Sequence, residues 1–585
     1  MALHEALLLR PLPDGLLLHL NLTVSTSSQD LRHLELFPRA IAELVLSNRV
    51  AEAHVSLTRG RWLHERWGAQ PEPAPLGGVV AAWLPTAQSQ RAWDGLRQAL
   101  GASLCASLSE AMDMEGEGEA AASGDAPLQW PWMESAPSAV PPLTSLARRW
   151  AVWGREAVCT ENIAAWLQLW PCRDAAGPAR LLGGALRPQL LGGRFTSLRL
   201  RLLRECASIE RDDGSCEAPR LVLRLGLTVL TSADAPTVLA AIGGGGPTPA
   251  SGGGADGAAD GVRACPLATS SRLQLQLPAQ TAVGDLATTA SDDGDDGDDV
   301  DDASSDVEVR VAPRPTVWNR VAEAAPAWQQ LEWPLSPTAP LHLRLQWSSG
   351  AAAQQRTGRP SVAPPPLGAR RTVGGWELQR AALELRLVSR AAVPMRVEGV
   401  EHLPWRVVPA AHTLALFLNG TATPVSAPLA SLRIAPPNAG SAPRSTAAAP
   451  PLLGASASPP PPPPPHRLEW RVTLPPFTTM LLSLQLERPF IPVDELPSDA
   501  SRGIDLGSVA LRYQLQNGAE GADEPTRLLF TEGALLPVPL ADQSMPYNVI
   551  SITSTLLALF GGSMFNLLAR RHLPLHRPDT KAGTK

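Results

Sequence analysis

Six cysteines carry the most reactive chemistry in this 585-residue chain: Cys105, Cys159, Cys172, Cys206, Cys216 and Cys265. A thiolate beside a histidine base makes a nucleophile, so Cys105 or Cys159 with His54, His64 or His402 is the first arrangement to weigh. No cysteine-protease type of motif surrounds any of the six, and cysteines in an oxidising compartment serve more often as crosslinks. Full pairing allows fifteen connectivities, which spacing does not resolve. Cys206 and Cys216 flank the polar turn Arg211-Asp212-Asp213-Gly214, which suggests a local bond between them. There is no Cys-x-x-Cys, so zinc and dithiol-redox motifs lack support. Gly-x-Ser-x-Gly, His-Glu-x-x-His and phosphate-cradling loops are absent too. The chain therefore offers no assigned catalytic residue, no metal ligand set and no cofactor.

Other residues with chemical potential have plainer readings. Asp292 to Asp306 holds nine aspartates and superficially suggests calcium. No glutamate closes the run and no helices flank it, as an EF-hand would require, so a solvated, self-repelling loop is expected. The sequons Asn21-Leu22-Thr23 and Asn419-Gly420-Thr421 are candidate N-glycosylation sites. Seventeen tryptophans stand against two tyrosines. Clusters such as Trp62/Trp67, Trp166/Trp170 and Trp318/Trp328/Trp333 fit core or inter-domain packing, with interface anchoring as the alternative.

The elements that hold these residues are mostly strands. Leu18, Leu20, Leu22 and Val24 alternate with polar neighbours, as do Leu223, Leu225, Leu227 and Val229. Shorter copies recur at 273–277, 341–345, 468–472 and 482–486. This period-two pattern puts one face on a core and the other in water, and many such strands predict sandwiches. Helices are expected from about Pro38 to Ser47, from Arg91 to Leu108 and from Glu161 to Trp170. The fold class is mainly β: luminal β-sandwich-type domains with a few helices and one C-terminal transmembrane helix. Low-complexity stretches divide the chain. An N-terminal β-rich domain is expected over 1–285 with all six cysteines, an acidic loop over 286–306, and a C-terminal sandwich with Pro-rich insertions over 307–535.

Residues 548–569 form an uncharged run long enough to cross a bilayer core of about 30 Å as a helix. Ser551, Thr555, Gly561 and Gly562 suit close packing against other helices. Arg570, Arg571, Arg577, Lys581 and Lys585 follow, so 570–585 reads as a cytoplasmic tail and everything before 548 lies on the opposite side. A cleaved lipid-anchor signal would end in its apolar part, which this chain does not. That topology needs an export signal, yet Leu7–Leu9 is only a three-residue apolar run, and the simplest expectation is a leader outside this sequence. Net charge is −6, and setting aside the nine aspartates of the acidic run leaves +3. No basic cluster of the nucleic-acid-binding kind is present.

Several segments, in order, resemble the PIG-T family of GPI transamidase subunits. They are Leu36-Phe37-Pro38, His54-Val-Ser-Leu-Thr58, Trp67-Gly68, Cys105-Ala-Ser-Leu108, Val158-Cys-Thr-Glu-Asn162, Pro171-Cys172, Cys265-Pro-Leu-Ala268, Leu403-Pro-Trp405, Glu487-Arg488 and Ser544-Met-Pro-Tyr-Asn-Val-Ile550. The resemblance implies a non-catalytic, type I scaffold subunit of the endoplasmic reticulum membrane. It would work beside a caspase-like subunit that attaches GPI anchors to the C-termini of precursor proteins. It also implies that Cys159 forms an interchain disulfide with that catalytic subunit. Asn162-Ile163-Ala164 departs from relatives that carry a sequon there. A single-pass cell-surface receptor or adhesion protein is the alternative, and a luminal cysteine hydrolase a third.

Overall fold

The computed structural model describes residues 2–12, 15–26, 36–85, 89–108, 112–115, 146–153, 158–172, 177–179, 192–205, 220–231, 262–278, 281, 283–285, 307–321, 328–347, 364–375, 379–423, 429–435, 465–488, 503–516, 526–537 and 544–569. Cys206 and Cys216, the acidic loop and the 570–585 tail lie outside them.

The first part of the chain supplies β1 (Ala2–Leu12), β2 (Gly15–Ser25), β3 (Glu52–Arg59), β4 (Gly77–Pro85), β5 (Met112–Glu115), β6 (Leu146–Trp153), β7 (Phe195–Glu205), β8 (Arg220–Leu230) and β9 (Ser270–Pro278). Next come β10 (Val283–Asp285), β11 (Val307–Ala312), β12 (Val317–Val321), β13 (Trp328–Pro334) and β14 (His342–Trp347). Among the described residues, eleven of these strands form one sheet in the order β12-β13-β9-β1-β2-β8-β7-β3-β4-β6-β5. The pairings along it are antiparallel except β1 with β9, where a long crossover returns the chain beside its first strand. Strands β10, β11 and β14 make a small companion sheet.

The alternation read from the sequence determines which face is covered. Leu3, Leu7 and Leu9 of β1, Leu18, Leu20 and Leu22 of β2, and Ala53, Val55 and Leu57 of β3 share one core. Three helices add to that core: α1 (Arg39–Ser47), α3 (Ser89–Leu104) and α4 (Thr160–Leu167); the single-turn α2 (His64–Trp67) lies elsewhere. α1 contributes Ile41, Ala42, Leu44 and Val45, while α3 contributes Trp93, Leu96, Leu100 and Leu104 at helical spacing. Val309 and Val311 of β11, Leu331 and Trp333 of β13, and Leu343 and Leu345 of β14 also pack into it. Strands β12 and β13, beyond the acidic divide expected at 286–306, thus extend the first sheet, and β11 and β14 of the companion sheet share its core.

The second unit uses β15 (Leu367–Gly374), β16 (Arg380–Ser389), β17 (Met395–Leu403), β18 (Val408–Leu418), β19 (Thr421–Thr423), β20 (Leu429–Ala435), β21 (His466–Leu474), β22 (Thr479–Glu487), β23 (Ile504–Leu506), β24 (Ala510–Leu515), β25 (Arg527–Phe530) and β26 (Ala534–Leu536). Among the described residues these build two five-stranded sheets, β15-β16-β22-β18-β19 and β20-β21-β17-β24-β25, with β23 and β26 paired separately. Leu385, Leu387, Leu416, Met480 and Leu482 of one sheet meet Met395, Val397, Trp470, Val472, Leu511 and Tyr513 of the other, which is the core of a β-sandwich.

The two units touch through the face of the first sheet that the helices leave open. Val79 and Ala81 of β4 and Trp150 and Val152 of β6 pack with Ala510 and Phe530 of the sandwich. Past β26, α5 (Ser544–Ala569) carries a 23-residue apolar stretch, Tyr547–Ala569, with mean hydropathy 1.5 in its 18-residue window. At 1.5 Å per residue such a stretch reaches about 34 Å, enough to cross a bilayer core.

Candidate functional site

Among the described residues, Cys105 and Cys159 are the cysteines outside a disulfide, and the fold brings them to one place. Cys105 follows the last residue of α3 and adopts φ +53. The next N–H, of Ala106, reaches back to Gly101 O at 2.9 Å, which is the bond that closes a helix through a left-handed residue. The helix expected to run to Leu108 therefore stops at Leu104, although Leu108 still packs in the core.

Cys159 starts α4 in an extended conformation, φ −109 and ψ 178. Its backbone N–H donates to Asn162 Oδ1 at 2.9 Å. Asn162 is fully buried, and its Nδ2 donates to Leu104 O and Cys105 O, each at 2.9 Å. One side-chain amide thus ties the end of α3 to the beginning of α4. The Cys159 thiol is pushed up, first by burial and then by Glu161. The backbone N–H groups of Asn162 and Glu161 favour the thiolate but are outweighed.

Beyond α4 the chain is pinned. Cys172 and Cys265 form a disulfide with Cα atoms 5.7 Å apart, fastening the segment after the helix to the approach of β9. Cys265 N–H donates to Glu5 Oε1 at 2.9 Å, and the Ser271 hydroxyl donates to the same oxygen at 2.6 Å. Burial raises the Glu5 pKa against these two bonds. Sequence reasoning left this pairing open because nothing local to Cys172 points to Cys265, 93 residues on.

The histidines weighed as bases sit elsewhere. His54 alternates with Ala53 and Val55 on β3, so it lies on the sheet face opposite α3 and α4, with Nε2 2.6 Å from Glu52 Oε1. Burial lowers its pKa against that carboxylate. His64 opens α2 beside the sandwich, where burial takes it down to about 4. His402 lies on β17 in the second unit. The structure ties the backbones of Cys105 and Cys159 together through Asn162 and distributes these imidazoles.

A cleft of about 240 Å³ runs along the seam between the units, lined by Trp62, His64, Glu65, Arg370, Phe530 and Glu532 among others. Ion pairs cross it from Arg61 to Glu532 at 3.0 Å and from Arg390 to Glu65 at 2.8 Å. Both expected glycan acceptors are exposed. Asn21 lies within β2, and Asn419 sits at φ +49 in the turn before β19 with Oδ1 accepting Thr479 N–H at 2.9 Å.

Comparison with known proteins places this architecture. The family model described as "Gpi16 subunit, GPI transamidase component" matches residues 1–233 and 263–584. The chain belongs to the Gpi16 family. It is 25% identical to the human GPI-anchor transamidase component PIGT, over 97% of this chain and 90% of that protein. To the GPI transamidase component PIG-T homolog of Schizosaccharomyces pombe it is 24% identical, over 92% and 83%. To the Saccharomyces cerevisiae GPI transamidase component GPI16 it is 22% identical, over 98% and 89%. The Gpi16 match spans the helix-bearing sheet, the sandwich and α5, and so includes the thiol site.

Proposed function

We propose that this Gpi16-family chain is a non-catalytic scaffold of the GPI transamidase, the enzyme that attaches GPI anchors to precursor proteins. Its first sheet and sandwich form a luminal body in the endoplasmic reticulum, α5 anchors it as a type I protein, and the tail is cytoplasmic. Cys159 makes the covalent link to the caspase-like catalytic subunit. Asn21 and Asn419 are glycan acceptors.

The observation that carries this reading is the placement of Cys159: unpaired, part-exposed, and fixed at a helix start by Asn162. A crosslinking thiol needs that combination of access and rigid aim. The Cys172–Cys265 disulfide supports an oxidising compartment, and the hydropathy of α5 supports a membrane anchor.

The test is purification of the tagged full chain from detergent-solubilised membranes, followed by a non-reducing gel and mass spectrometry. A cysteine-protease-like partner should co-purify in a high-mass band that dithiothreitol collapses and Cys159→Ser removes. An unchanged band in that variant refutes the crosslink. A chain without such subunits, carrying mature surface-type glycans, is instead a cell-surface protein.

A further inference from the structure

The sandwich has two ends, and the chain departs for α5 from one of them. Pro537, just past β26, has its carbonyl held by Arg488 Nη1 at 2.8 Å, and Arg488 Nη2 donates to Arg380 O at 2.6 Å. Arg380 opens β16 opposite Glu487 at the close of β22, and Val408 opens β18 opposite the same Glu487. Leu403 ends β17, Val407 precedes β18, and both share a core with Leu536 of β26. Trp405 and Arg406, in the turn between those strands, therefore lie with Val408 and Leu535 at the departing end. Six residues separate Pro537 from Ser544, so this end stands no more than about 25 Å from the start of α5.

The side chains at this end suit a lipid interface. Val408 and Leu535 are exposed. Trp405 and Arg406 are half-buried, with the Arg406 guanidinium carbon 4.9 Å from the Trp405 ring. Tryptophan is favoured at the membrane–water boundary, and a guanidinium beside it can reach a phosphate. The remaining charge is mixed: Arg380 stands opposite Glu487, and Asp505 stands opposite Leu535 in register. Such a surface matches a zwitterionic headgroup layer better than an anionic one.

The far end has a different character. The nine residues of β22 set it about 27 Å away along the strands. Phe477 donates its N–H to Ala391 O there, and Asn419, the candidate glycan acceptor, donates its N–H to Thr479 O at 2.8 Å. A glycan on Asn419 needs water around it, which keeps that end out of the bilayer.

We propose that the departing end of the sandwich rests on the bilayer, with Trp405, Arg406, Val408 and Leu535 among the headgroups of zwitterionic phospholipid. This rests on the reading of α5 as a membrane anchor. The contact orients the sandwich on the membrane. Through the seam of Trp150 and Val152 with Ala510 and Phe530, it also sets how the first sheet, and Cys159 with it, faces the surface.

The test places the photo-crosslinking amino acid benzoylphenylalanine singly at Val408, Leu535, Phe477 or Phe560 of the full-length chain. All four side chains are exposed, so the substitutions leave the core intact. Each variant is purified with whatever subunits accompany it, reconstituted into phosphatidylcholine nanodiscs, irradiated and digested for mass spectrometry. Phosphatidylcholine adducts should form at Val408 and Leu535, as they do at Phe560 within α5, and not at Phe477. The proposal is overturned if Val408 or Leu535 stays free of lipid while Phe560 is labelled. It is equally overturned if Phe477 is labelled as strongly as they are, or if either joins a protein subunit instead. Absence of lipid at Phe560 overturns the membrane anchor itself, and the resting surface falls with it.

Discussion

Trp150, on β6 of the first sheet, stands edge-on to His402, on β17 of the sandwich, with ring centroids 6.2 Å apart and planes at 70°. Arg148 and Arg467 carry their guanidinium carbons 4.8 and 5.8 Å from the same indole. One buried tryptophan therefore receives two cations and an imidazole, contributed by both units, which makes their relative orientation a packed property.

Trp150→Ala should cost about 3–5 kcal/mol, the range for deleting a buried aromatic. Urea unfolding of the detergent-purified chain measures it. Limited proteolysis should then cut between the units in the variant well before wild type. A change under about 1 kcal/mol would mean that the seam is not packed around this ring.

Acidification should destabilise the protein through its buried histidines. Burial, with Arg467 nearby, takes His402 down to about 3, and burial takes His64 down to about 4, from 6.5. Below pH 6.5 the unfolded chain binds protons that the folded imidazoles refuse, so each histidine removes about 1.4 kcal/mol per pH unit until its folded pKa is reached. Glu5 and Glu401 act oppositely. Burial raises both, so their protonated forms favour the folded state at low pH and that contribution fades as pH rises above 4.5. Comparing wild type with His402→Gln isolates one group. The stability difference should move by about 3 kcal/mol against wild type from pH 6.5 to 4. A pH-independent difference would refute the assignment.

Gly399 on β17 lies under Trp470 of β21, its partner in register. A Cβ at Gly399 would run into the Trp470 ring. Gly399→Ala should cost about 1–3 kcal/mol by overpacking, and much of that penalty should disappear on a Trp470→Leu background. Additive effects in thermal melts would show that the two sites do not couple.

Replacing Cys172 and Cys265 together by alanine opens a loop of 93 residues. The chain-entropy argument predicts a loss of about 4.6 kcal/mol. Alkylation of Cys159 should also become faster, because the segment after α4 loses its tie to β9. An alkylation rate equal to wild type would separate the brace from the thiol site.

Much of the fold was legible in local patterns. Period-two leucine runs at 18–24, 223–229 and 482–486 correspond to β2, β8 and β22, because a half-buried strand writes its burial into alternate residues. The α3 stripe from Trp93 to Leu104 was readable for the analogous reason at helical period. The end of α3 was not. A cysteine in the left-handed region carries no sequence mark, whereas glycine would have.

What the sequence determined by itself was everything with a short-range cause: strand-rich character, the apolar stretch of α5 and the ordered motifs of the family. Tertiary structure alone decided the parallel pairing of β1 with β9, the entry of β12 and β13 into the first sheet, the partner of Cys172 and the tie of Cys105 to Cys159 through Asn162. These relationships join residues dozens to hundreds of positions apart. They are selected by which apolar faces close over one another and which buried amides find partners, and no periodicity within a single segment records that choice.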